Sequence, residues 1–261
     1  RAVKNRFGST HEIGVFEMRE GGLEEIVNPS SLFLSERTPG STGSVVVSSI
    51  EGSRPILTEV QALVSPSPFG IPKRGAIGVD YNRLLLLVSV LEKRVGMHIQ
   101  GQDIFINVVG GLEIREPAVD LGIIAALSSS FKEVAIDPDT IVFGEVGLSG
   151  EVRAVTSAEV RVKEAAKLGF KRCILPERNA SQLAPGSIEI VGVSTVKNAV
   201  EAVYDEQGQR LYPFESNRVT VGGVIVEGRL TGGTFFASFY DNRVLHQWLN
   251  REIERLGRVV I

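Results

Sequence analysis

The stretch Glu113-Ile-Arg-Glu-Pro-Ala-Val-Asp-Leu-Gly-Ile-Ile-Ala-Ala-Leu127 constrains this chain more than any other. It follows an apolar strand and the pair Gly110-Gly111, and it opens an apolar helix at Pro117. Proline suits a first helical position, because its missing N–H would have no intrahelical partner there. A glycine-rich turn feeding a helix N-terminus is a frequent place for a nucleophile, an oxyanion hole or a phosphate site. The expected nucleophile is absent from the turn. The pattern is that of a catalytic cradle without a catalyst.

The flanking segments read as α+β. Residues 1–38 combine the basic run Arg1-Ala-Val-Lys-Asn-Arg-Phe-Gly8, an alternating strand Glu12–Met18, a Gly21-Gly22 turn and a short helix Pro29–Leu34 behind an Asn28 cap. One strand and one short helix cannot bury their own apolar faces, so this segment reads as the tail of a larger domain. The chain opens on Arg1 rather than Met, which is expected of a fragment with further residues upstream. Polar, Gly-rich residues 36–43 read as a linker.

Beyond it, residues 44–50 and 56–64 read as a hairpin. Asp80 caps an amphipathic helix to Val95, and strands follow at 104–109 and 140–146. A helix spans 157–168, with Ser157 as cap and Gly169 as its C-terminal stop. Short strands at 173–175 and 188–193 and a helix over 195–203 close this part. Residues 205–261 change character. The pattern there predicts strands at 219–226 and 235–240 and an amphipathic helix over 241–256.

A formal net charge of −3 argues against a dedicated nucleic-acid binder, although a local basic stripe is compatible with it. A single cysteine, Cys173, excludes an internal disulfide and fits a reducing cytoplasm, where it serves as a small buried apolar residue. No apolar run is long enough to span a bilayer. His11, His98 and His246 lie outside catalytic-looking loops, and neither a nucleophile elbow, a zinc-protease motif nor a Walker-type phosphate loop occurs. The remaining chemistry lies in cations. Lys4 and Arg6 alternate on one side of an extended segment and would suit a shared phosphate. Arg54, Lys73, Arg74 and Arg83 form a second set of candidate phosphate contacts, with surface solubility as the bland alternative.

Lys4-Asn-Arg-Phe-Gly8 resembles the KNRFG motif of the bacterial RadA (Sms) family, RecA-like ATPases of recombinational repair. Gly52-Ser-Arg-Pro55, Gln61-Ala-Leu-Val64, Asp80-Tyr-Asn-Arg-Leu84 and Glu116-Pro-Ala-Val-Asp-Leu-Gly122 fit that family as well, and the resemblance covers about residues 1 to 204. It implies that 1–38 end a RecA-like ATPase core and that 39–204 form a domain similar to the Lon proteases, of the ribosomal protein S5 domain 2-like fold. Residues 205–261 carry over nothing.

In Lon-type enzymes a serine–lysine dyad works in a Gly-Pro-Ser context. Here Ala118 stands at the serine position and Glu159 at the lysine position. A methyl group has no lone pair for attack, and a carboxylate is no substitute for an amine base. The resemblance therefore implies a pseudoprotease, with no catalytic activity in this fragment. Lys163 lies one turn beyond Glu159, and Ser128–Ser130 lie beyond the loop.

For Lys4 and Arg6 the resemblance implies reach into a neighbouring subunit's γ-phosphate. For the full-length protein it implies ATP and Mg²⁺, zinc in an upstream finger, a hexameric ring, single-stranded or branched DNA, the recombinase RecA and a cytoplasmic setting without membrane. A residual peptidase and a protein-interaction platform without DNA contact are the alternatives.

Overall fold

In this computed structural model, residues 16–19, 21–26, 28–67, 70–204, 217–221, 224–231 and 234–237 are described. The chain divides into two units, Arg1–Asp205 and Glu206–Ile261.

The first unit begins with the antiparallel pair β1 (Phe16–Arg19) and β2 (Gly22–Glu25), followed by helix α1 (Pro29–Leu34). Asn28 caps α1 as its sequence predicts, Oδ1 accepting from Ser31 N at 3.2 Å. Next come β3 (Ser44–Glu51), β4 (Arg54–Pro66), β5 (Arg74–Ile77), α2 (Tyr81–Val90) and β6 (Gln102–Val108). Asp80 caps α2 through Arg83 N at 2.8 Å. The expected long helix instead passes into a π turn, Leu91–Val95, and stops at Gly96, whose φ of 79° a side chain would resist.

A 3₁₀ turn, Pro117–Val119, leads into α3 (Asp120–Lys132). The strand expected over 140–146 divides into β7 (Thr140–Val142) and β8 (Glu145–Val146), and β8 pairs with β9 (Val152–Arg153). Helix α4 (Ala158–Lys167), β10 (Arg172–Pro176), the short α5 (Glu177–Ala180), β11 (Glu189–Val193) and α6 (Val196–Ala202) complete the unit. Thr195 caps α6, accepting from Asn198 N at 3.2 Å. Ser157 does not cap α4 as expected. It sits in the left-handed region at φ 56° and its side chain makes no capping bond.

One seven-stranded sheet, in the order β11-β10-β7-β3-β4-β6-β5, holds these elements. β4 alone runs against its neighbours, so the fold is a mixed α/β arrangement with a mostly parallel sheet. Alternation along β3 sends Val45 and Val47 to one face and Val46 to the other. The first face carries the larger core, with Val60, Leu84, Leu87, Leu121, Ile124 and Val196 from the sheet and from α2, α3 and α6. The second holds Leu57, Ile141, Phe143, Cys173 and Leu175 beneath α4. Every residue of α3 from Asp120 to Ser130 is buried. That contact is close because of Gly122, where an added Cβ would lie 2.1 Å from Val47 Cγ1.

β5 is absent from the sequence expectation, which places a loop there. Its four residues carry too little pattern to announce a strand, and parallel pairing with β6 defines it.

Within Glu206–Ile261, β12 (Asn217–Val221), β13 (Val224–Thr231) and β14 (Thr234–Ala237) form an antiparallel sheet in that order. The single strand expected over 219–226 is thus two strands. The helix expected over 241–256 lies outside the described residues.

Candidate functional site: a closed cradle and its cations

The Gly-Gly turn after β6 leads to Glu116-Pro117-Ala118, at the centre of the sheet. Ala118 is 1% exposed, and its carbonyl accepts from Gly144 N at 2.6 Å. Leu121 N donates to Gly144 O at 3.0 Å, so β7's end and the start of α3 are laced together around the alanine. The Ala118 side chain is thereby closed off from solvent.

Glu116 is turned away from solvent chemistry as well. Oε2 accepts from Ile50 N at 2.7 Å, and Oε1 accepts from Arg161 Nη2. Arg161 is fully buried on α4, where it also donates to Ser48 O at 2.5 Å and Thr156 O at 3.1 Å. Its guanidinium lies 5.6 Å from the Phe143 ring centroid. A buried guanidinium needs both charge compensation and hydrogen-bond acceptors. Glu116 and the two carbonyls supply them. Sequence reading passed over Arg161; the available signal was its place on the buried face of α4 with Ala158 and Ala165, at positions that call for apolar residues.

A second knot lies behind the start of α3. Asp120, 1% exposed, accepts from Arg83 Nε at 2.8 Å and from Val146 N at 3.1 Å, and it also pairs with Arg83 Nη2. Arg83 Nη2 donates in addition to Val146 O at 2.9 Å. Burial pushes the Asp120 carboxyl up, against the pull of Arg83 and the Val146 N–H. The Arg83 guanidinium is raised by its hydrogen bond to Asp120.

Glu159 and Lys163 occupy the opposite environment. Both are exposed on α4 and pair with each other at 2.6 Å. Neither side chain contributes to the cradle. Ser128, Ser129 and Ser130 are structural: Ser128 Oγ meets Tyr204 Oη at 2.7 Å, Ser129 Oγ accepts from Gly43 N at 2.8 Å, and Ser130 Oγ accepts from Val64 N at 2.9 Å.

The four predicted DNA cations do not form one group. Arg83 faces Asp120 rather than outward, because a buried carboxylate requires a partner. Arg74, at the start of β5, donates to the carbonyls of Lys73, Gln100 and Gln102, clamping the loop before β6. Lys73 is exposed and its N–H is held by Asp103 Oδ1 at 2.7 Å. Arg54 stands at the other end of β4: Arg74 aligns with Ile104 and so with Val64, ten residues along the strand from Arg54. At about 3.3 Å per residue the two lie roughly 30 Å apart. Lys4 and Arg6 lie outside the described residues.

Among the described residues no cluster of His, Cys, Asp and Glu could hold a metal ion, and no helix is long and apolar enough to cross a membrane.

Comparison with known proteins places the cradle in a lineage. The DNA repair protein RadA of Halalkalibacterium halodurans is 57% identical over 202 residues, 77% of this chain and 44% of the relative. Its counterpart in Bacillus subtilis is 55% identical over 201 residues, with the same coverage of each chain. Over the matched residues the chain is similar to the RadA proteins. RadA of Listeria monocytogenes is 50% identical over 202 residues, 77% of this chain and 44% of that protein. The chain thus spans less than half the length of these curated relatives. A family model described as subunit ChlI of Mg-chelatase matches residues 87–179, which run from α2 through α5 and include the cradle.

Proposed function

We propose that this chain is a non-proteolytic, Lon-like scaffold of a RadA-type, DNA-dependent ATPase and helicase in recombinational DNA repair. The observation that carries the reading is the state of the cradle. Ala118 stands at the nucleophile position and is 1% exposed, and Glu116 beside it is committed to Arg161 and Ile50 N. The repair role rests on the relatives, which are named DNA repair proteins.

In this reading residues 1–38 end a RecA-like core, 39–204 form the Lon-like domain, and the latter assembles a hexameric ring. Lys4 and Arg6 stabilise the transferring phosphoryl group of a neighbouring subunit by charge compensation. ATP, Mg²⁺, zinc, the recombinase RecA and branched or single-stranded DNA belong to the whole cytoplasmic protein. Arg54, Lys73 and Arg74 remain proposed phosphate contacts, with Lys73 the most open of them; Arg83 is occupied by Asp120. Titration of the 261-residue chain against a fluorescent dT30 oligonucleotide at 50 mM salt tests the DNA part. Binding that weakens steadily with salt is expected, and no detectable binding overturns it.

A protein-interaction platform is the second reading, and one observation favours it. Leu63, Phe105 and Ile77 are 59%, 40% and 64% exposed, and sheet register puts them on one face of β4, β6 and β5. An uncovered apolar sheet face of this kind is typical of contact surfaces.

A further inference from the structure

Cations on the described surface are mostly paired. Arg153 meets Glu145 and Glu151, Lys163 meets Glu159, Lys167 meets Glu164, and Lys171 meets Asp139. Several exposed cations depart from this pattern, Lys73 and Arg178 among them. Lys93 and Arg94 in the π turn and Lys197 in the first turn of α6 are exposed and have no ion-pair partner among the described residues.

Arg94 and the residue before Lys197 meet at Gly150. The stem of Arg94 lies against that glycine, where an added Cβ would be 3.0 Å from Arg94 Cγ, and Arg94 Nε donates to Leu148 O at 3.2 Å. On the other side, Val196 donates its N–H to Gly150 O at 2.8 Å, which sets Lys197 beside the same residue. Lys93 adjoins Arg94 in the turn on which α6 packs.

The acids closest in sequence are engaged elsewhere. Glu92 accepts from Ile99 N and Gln100 N and pairs with His98, itself exposed on this surface. Glu151 pairs with Arg153 and accepts from Ser149 N. Three exposed cations against the two carboxylates Glu92 and Glu151, one of which is already matched by Arg153, leave a net positive surface that a polyanion lowers. Spaced cations that release condensed counterions are the general means of holding a phosphodiester backbone.

We propose that Lys93, Arg94 and Lys197 hold the phosphodiester backbone of single-stranded DNA along the seam between the π turn and α6. This rests on the DNA reading above and names a surface for it that the sequence did not single out. Among the described residues Lys93 and Lys197 make no side-chain hydrogen bond or ion pair, so Lys93→Gln/Lys197→Gln is expected to leave the fold intact, which an unchanged urea midpoint verifies.

The experiment is dT30 binding by the 261-residue chain followed across a salt series. Each phosphate contact to a single strand contributes about 0.7 to the log–log salt slope, so the double variant is expected to bind more weakly with a slope lower by about 1.4. A control, Lys163→Gln/Lys167→Gln, removes the same charge from paired positions and is expected to leave the slope unchanged. An unaltered slope in the seam variant, or an equal fall in the control, overturns the assignment. If the unsubstituted chain binds no dT30, the DNA reading itself fails, and the seam with it.

Discussion

The guanidinium of Arg161 and the carboxylate of Glu116 meet behind Ala118, joining α4 to the turn that opens α3. Arg161 is fully buried and the Glu116 side chain is 24% exposed, so the pair lies where each charge depends on the other. In this arrangement the turn that opens α3 is a structural tie between the two sides of the sheet.

Removing one partner should therefore cost more than removing both. Glu116→Ala leaves a buried cation with only the Ser48 and Thr156 carbonyls, and the expected loss is about 3 kcal/mol. Arg161→Met combined with Glu116→Ala should lose less than the Glu116 variant alone. Urea unfolding of the unsubstituted chain, Glu116→Ala, Arg161→Met and the double variant checks this, and additive losses would contradict the pairing.

Installing a serine and a lysine at positions 118 and 159 should not create peptidase activity. Ala118→Ser places a hydroxyl where the residue is 1% exposed, and Glu159→Lys adds an amine on an exposed face of α4. The double variant is expected to turn over neither casein nor a fluorogenic peptide, and to lose about 1–2 kcal/mol if the buried hydroxyl finds no partner. Turnover by the double variant that is absent from the Glu159→Lys single variant, which keeps Ala118, would sink the closed-cradle reading.

Gly122 is a steric necessity. In Gly122→Ala the new methyl collides with Val47 Cγ1, and overpacking of this kind costs about 1–3 kcal/mol. Trimming the obstacle in Gly122→Ala/Val47→Ala should recover part of that loss, relative to the sum of the two single variants. Thermal unfolding of the four-protein cycle measures the coupling.

Alkaline pH should weaken the fold through two buried acids. Burial pushes the Tyr204 hydroxyl up to about 12 from its ordinary value near 10, partly offset by Ser128, and pushes the Cys173 thiol up as well. A group raised on folding keeps its full contribution below its unfolded value and loses it as pH rises toward the folded one. Stability measured by urea unfolding should therefore fall from about pH 9 upward. Tyr204→Phe should flatten the portion between about pH 10 and 12, and Cys173 should resist thiol reagents until the chain unfolds. Labelling at the rate of a free thiol in the folded protein would contradict its burial.

Much of the fold was legible because its signals are local. Asn28 and Asp80 cap helices where expected, and the β-branched runs 44–50 and 56–64 pair as the hairpin β3–β4. β5 was not legible, because four residues acquire strand identity only through their partner β6. The surroundings of the cations were not legible for a related reason. Arg83 and Arg74 look like surface charges in sequence, yet a buried carboxylate and a row of carbonyls, distant along the chain, engage them.

That Ala118 carries no hydroxyl and Glu159 no amine is a property of each residue alone and is read without the fold. What surrounds them follows from packing. Glu116 and Arg161 are 45 residues apart, and their pairing follows from α4 closing over the sheet rather than from any local pattern. The same holds at Gly150, where Arg94 and Lys197 arrive from distant turns. Charges become a surface through proximity in space, and that proximity is fixed by packing.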